Sequence, residues 1–98
     1  MKFGLSEQEY HFIKKEVVLP LEQAGAQVWS YGSRARGDFK KFSDLDLMVE
    51  SPTDLSKQIG EIQEILSNSN FPFKVDLVQW SEFAEAYKSN YLRERTKF

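Results

Sequence analysis

Apolar positions along the chain follow two periods, and the changes between them mark its elements. Ser6 and Glu9 have the spacing of a capping box. Tyr10, Ile13 and Val17 then recur at helical intervals, so a first helix is expected there. Pro20 ends or kinks it, and Gly25 closes the segment. Gln27 to Tyr31 reads as a short strand. Gly32 to Phe42 holds two glycines and five charged residues, which makes it a loop with room for one helical turn. Asp44 to Glu50 alternates: Leu45, Leu47 and Val49 point one way, and Asp44, Asp46, Met48 and Glu50 the other. Pro52 and Thr53 look like a helix start, followed by an apolar stripe of Leu55, Ile59, Ile62 and Leu66. Ser67 to Asn70 is a turn, and Phe73 to Trp80 a third strand. Ser81 can cap a last helix with Phe83, Ala84, Tyr87 and Tyr91 along one side.

The order helix, strand, loop, strand, helix, strand, helix predicts an α/β protein: a small three-stranded mixed sheet flanked by helices. The helical crossover between the second and third strands favours a parallel, right-handed pair. The shorter loop between the first and second favours an antiparallel one. With 98 residues, a single domain over 1–98 is expected, with no second domain to hold a separate substrate.

Composition narrows the chemistry. There is no cysteine, so no disulfide, thiolate metal site or Cys nucleophile is available, and one histidine, His11, cannot form a histidine cluster. His11 lies on the expected outer surface of the first helix and reads as a solvated residue. A net charge of −2 argues against a broad grip on nucleic acid, and no direct nucleic-acid binding is expected. No apolar run approaches a membrane span and no signal-peptide pattern opens the sequence, so a cytoplasmic location is expected. Catalysis would have to use carboxylates, hydroxyls, Arg, Lys and hard metal ions.

Three aspartates supply such a set. Asp44 and Asp46 leave one face of a strand about 6.6 Å apart. They repel each other unless a positive group lies between them, and a hard divalent cation meets that need. Alone, Asp-x-Asp is an ordinary polar strand face. Asp76 changes the balance, because it interrupts the apolar run Val75, Leu77, Val78. Beside the second strand it would face Asp44 and Asp46; the lesser alternative is an exposed position on the open sheet face, paired with Lys74 or Lys40. Three such carboxylates can hold two metal ions for in-line phosphoryl displacement. Gly32 and Ser33 follow the first strand, where a glycine admits a phosphate close to the backbone and a hydroxyl can donate to it. Arg34, Arg36, Lys40 and Lys41 against Asp38 give this loop a local charge of +3 within a negative chain. Neither a P-loop nor a dinucleotide fingerprint is present.

Gly32-Ser33, ten intervening residues, then Asp44-Leu45-Asp46 resembles the signature of the DNA polymerase beta-like nucleotidyltransferase superfamily. The fuller pattern Gly-Ser-Arg-Ala-Arg-Gly with Ser-Asp-Leu-Asp-Leu resembles its minimal nucleotidyltransferase branch, the MntA-like antitoxins. The likeness runs from the first helix to the third strand, with Asp76 in the third-carboxylate place. It implies a nucleotidyltransferase fold and transfer of a nucleoside monophosphate from ATP or another NTP to a hydroxyl. On that resemblance Asp44 and Asp46 bind two Mg²⁺ ions. Asp76 helps bind the catalytic one and eases deprotonation of the acceptor. Gly32 and Ser33 hold the β- and γ-phosphates, and Arg36 with Arg34 offsets their charge.

The resemblance further implies a partner, a HEPN-type ribonuclease toxin, silenced by AMP on a tyrosine. Two alternatives stay open: a non-catalytic antitoxin that neutralises by binding, and a small-molecule nucleotidyltransferase of the aminoglycoside-modifying type. Homo- and hetero-oligomers are both open. Trp29, Trp80, Phe83, Tyr87 and Tyr91 read as core or interface residues. The tail, with Lys88, Arg93, Arg95 and Lys97 against Glu94, reads as a solvated, frayed helix end.

Overall fold

The computed structural model describes residues 2–98. Helix α1 (Glu7–Ile13) opens on the expected capping box: the Ser6 side chain accepts from the Glu9 N–H, and the Glu9 carboxylate accepts from the Ser6 N–H. Pro20 does not end the helix. The chain widens into a π-helical turn over Lys14–Val18 and continues as α2 (Leu19–Gln23). The Leu19 N–H reaches back to the Lys14 carbonyl, and the wider turn makes room for the proline ring one residue later. The end is a Schellman arrangement, with Gly25 donating to the Glu22 carbonyl and Ala26 to the Leu21 carbonyl.

Strand β1 (Gln27–Tyr31) pairs antiparallel with β2 (Leu45–Glu50), and β2 pairs parallel with β3 (Val75–Gln79). Both pairings follow the expectation from connection length. Between β1 and β2 lies a single turn of helix, α3 (Ser33–Arg36). Helix α4 (Ser56–Ser67) begins after Leu55 rather than at Pro52–Thr53. Its start is fixed from elsewhere in the fold: the Gln79 amide oxygen accepts from the Leu55 N–H, and its nitrogen donates to Asp54 and Ser56.

The sheet has four strands, not three. The last helix, α5 (Lys88–Glu94), is preceded by two 3-10 turns, Trp80–Glu82 and Glu85–Tyr87, so Ser81 caps nothing. Beyond α5 the chain forms a two-residue strand, β4 (Thr96–Lys97), on the free edge of β1, giving the order β3-β2-β1-β4. Phe98 is buried between Phe3 and Tyr10, at ring separations of 5.2 and 5.1 Å. The expected frayed tail is therefore a tethered strap.

One face of the sheet carries the main core. Val28, Leu45, Leu47, Val49 and Val75 meet Ile13, Val17, Val18 and Leu21 from the first helices and Ile59 and Ile62 from α4. The other face carries Trp29, Tyr31, Asp46, Met48, Glu50 and Asp76. Residues 80–95 cover part of it with a second, aromatic layer in which Tyr91 and Met48 are fully buried. The Tyr91 hydroxyl donates to Glu50 at 2.7 Å, Arg95 reaches the same carboxylate at 2.8 Å, and its guanidinium lies over Trp29. Among the described residues no helix is long and apolar enough to cross a membrane.

Candidate active site

The β-ladders set three side chains in one row across the partly covered face. Tyr31 is opposite Asp46, and Asp46 is opposite Asp76. Asp46 and Asp76 are half-buried, whereas Asp44 is exposed one residue before β2 begins. Burial pushes the Asp46 carboxyl up to about 6. The charges of Asp76 and Asp44 and a hydrogen bond with Asp76 add to this, against a smaller opposing effect from Lys74. The Lys74 ammonium sits 3.2 Å from Asp76. Among the described residues, no three carboxylate or histidine side chains are drawn into a ready-made cation cage. The core of the cluster is the Asp46–Asp76 pair, with Asp44 contributing charge from its rim. An oxygen-only donor set whose negative charge one exposed lysine leaves partly unbalanced fits a hard divalent cation.

Gly32 brings the loop to this row. Its φ is +77°, and a Cβ on it would lie 2.5 Å from Asp46 Oδ2. Only glycine allows this close passage of the turn over the carboxylate. Ser33, half-exposed, opens α3 directly after it. The two motifs that lie apart in sequence thus meet at the Gly32–Asp46 contact.

The two arginines part company. Arg36 is exposed and bridges Asp38 at 3.2 Å and Glu94 at 3.1 Å. Arg34, expected to help hold phosphate, is instead 2% exposed and faces the fold's interior. Its guanidinium donates to the carbonyls of Ser43, Phe3, Gly4 and Lys41, and it stacks 3.8 Å over Phe73. Positions two apart on a helical turn point to different sides, so Arg34 and Arg36 cannot serve one ligand. Arg34 pins the loop from Lys41 to Ser43, and so aims Asp44 and β2, without facing the carboxylate row.

Two neighbours had no functional signal in the sequence. Tyr31 is held by Phe83 and Tyr91 in edge-to-face contacts, and its phenol is pushed up to about 12 by burial and then by Asp46, Asp76 and Glu94. Glu94 accepts a hydrogen bond from the Gly32 N–H at 3.3 Å. Both depend on strand register and on the strap's return across the sheet. A broad groove on the helical side, lined by Glu16, Glu61 and Glu64 between α1 and α4, lies elsewhere, and its acids would repel a polyphosphate.

A family model for the nucleotidyltransferase domain matches residues 8–98. The chain is also similar to the "Probable protein adenylyltransferase MntA" of Haemophilus influenzae, with 40% identity over 63 residues. The aligned part is 62% of this chain and 54% of that protein, so the match spans about half the length of the relative.

Proposed function

Because the chain belongs to the nucleotidyltransferase domain family, we propose that it transfers a nucleoside monophosphate from an NTP to a hydroxyl group. The acceptor oxygen attacks the α-phosphorus as the bond to pyrophosphate breaks. The observation that carries this reading is the Gly32–Asp46 contact, which brings the Gly-Ser turn directly against the carboxylate pair. The Gly32 N–H and the Ser33 hydroxyl donate to the β- and γ-phosphates, and Arg36 balances their charge. Asp44, Asp46 and Asp76 would hold the divalent cations, two Mg²⁺ on the resemblance. When bound, the metal neutralises phosphate charge and acidifies the acceptor hydroxyl. Asp76 adds negative charge on the acceptor side and favours loss of that proton.

The finer reading is AMP transfer from ATP to a tyrosine of a partner protein, a HEPN-type ribonuclease toxin that this chain would silence as an antitoxin. The similarity to a probable protein adenylyltransferase supports a protein acceptor.

Growth rescue separates catalysis from masking. Cells expressing the proposed HEPN-type toxin partner should survive with the wild type and die with Asp44→Ala/Asp46→Ala. Rescue by the double variant would instead favour neutralisation by binding alone.

A further inference from the structure

Glu94 ties the C-terminal strap to the Gly-Ser turn. One carboxylate oxygen accepts from the Gly32 N–H at 3.3 Å, and the other from Arg36 Nη1 at 3.1 Å. These are two of the donors assigned above to the nucleotide's phosphates. A carboxylate offers them what a phosphate offers: a pair of anionic oxygens for charge-assisted hydrogen bonds.

The contact is a held one. Tyr91 and Arg95, on either side of Glu94 in the chain, both bind Glu50. Strand β4 pairs with β1, and Phe98 is buried. The Glu94 side chain is only 24% exposed. Its release need not undo the fold, because none of those anchors uses the Glu94 carboxylate. Arg36 keeps Asp38 as a second partner, so it is not left unpaired when Glu94 leaves.

We propose that Glu94 is a built-in occupant of the phosphate subsite, an autoinhibitory contact that an incoming nucleoside triphosphate displaces. The proposal rests on the reading that phosphates use Gly32 and Arg36. Nucleotide affinity is then set partly by how firmly the strap holds this carboxylate. A partner that pulls on the strap would raise affinity without touching the nucleotide.

Calorimetric titration of the full chain tests this with two probes, ATP and inorganic pyrophosphate, each with Mg²⁺. Glu94→Gln keeps an oxygen for the Gly32 N–H and removes the charge. It should tighten both ligands by about three- to tenfold, the margin between charge-assisted and neutral hydrogen bonds. Glu94→Asp keeps the charge but draws it back by one methylene, and should tighten both by less. Unchanged or weaker binding by Glu94→Gln overturns the proposal, since Glu94 would then support the site rather than fill it. A gain for ATP without one for pyrophosphate also overturns it, because the effect would lie at the sugar or base. A wild type that binds neither probe sinks the underlying reading of the site, and the proposal with it. The Glu94 carboxyl carbon resonance of the wild type gives a reading independent of any variant's folding. It should shift on saturation with Mg²⁺ and pyrophosphate together with the Gly32 amide, and an unmoved Glu94 signal overturns the displacement.

Discussion

Asp46 and Leu47 are neighbours in β2 and lie on opposite faces of the sheet under opposite conditions. Leu47 is fully buried among helix side chains and has no unmet need. Asp46 is half-buried beside another carboxylate, under a glycine turn, and its carboxyl is held near 6 by that setting. The first face is apolar and closely packed except at Ser30, whose buried hydroxyl has no partner among the described residues. The second breaks the ordinary rules of packing at Asp46 and Asp76 and satisfies them at Tyr91, Arg95 and Glu50. Two carboxylates kept together at a cost to the fold support the proposal that a cation supplies the missing charge there.

Substitutions at the two neighbours should therefore separate activity from stability. Asp46→Asn should lower nucleotidyl transfer about a thousandfold or more, since it removes a cation ligand and with it several kcal/mol of transition-state stabilisation. The same change should leave the melting temperature of the metal-free chain equal or higher. Leu47→Ala should do the reverse in kind: about 2–5 kcal/mol of stability lost in chemical denaturation, with the active-site residues intact in the fraction that folds.

Arg34 tests whether the division of roles holds within one loop. Arg34→Ala strips partners from four backbone carbonyls and should cost about 2–4 kcal/mol of stability. The KM for ATP of the folded fraction should stay near the wild-type value. A large rise in KM with little loss of stability would return Arg34 to the phosphate site.

A smaller effect follows from the Asp46 carboxyl. Its folded pKa lies above the ordinary carboxylate value, so the native state binds the proton more tightly than the unfolded chain does. Stability of the metal-free protein should thus rise as pH falls through about 6 toward about 4, and level off beyond. Thermal melts across this range should show the rise in the wild type, less of it with saturating Mg²⁺, and little in Asp46→Asn. The smallest change is expected at Ser30, whose buried hydroxyl has no hydrogen-bond partner. Ser30→Ala should alter stability by less than about 0.5 kcal/mol or raise it slightly.

Much of this was legible from side-chain periodicity. The alternation from Asp44 to Glu50 placed the leucines inward, and the acidic interruption at Asp76 marked a strand with a polar duty. The family resemblance, carried by the motif and its spacing, joined Gly32 to Asp46 before any contact was seen. What escaped depends on distant parts of the chain. A two-residue strand such as Thr96–Lys97 has no periodicity to detect, and its register follows from the free edge of β1. The split between Arg34 and Arg36 had a local signal, since positions two apart on a helical turn diverge, but only the fold shows which one turns inward. Glu94 read as one acid in a basic tail, because nothing near it in sequence reveals that the strap returns to Gly32.

The central claim is that the Gly32–Asp46–Asp76 site moves a nucleoside monophosphate. Parallel reactions with ATP labelled at the α- or the γ-phosphate, with Mg²⁺ and the proposed HEPN-type toxin partner, test it most directly. The account predicts α-label on the toxin, γ-label only in released pyrophosphate, and no transfer with Asp46→Asn. Transfer of γ-label to the toxin, or α-labelling that survives Asp46→Asn, would contradict it.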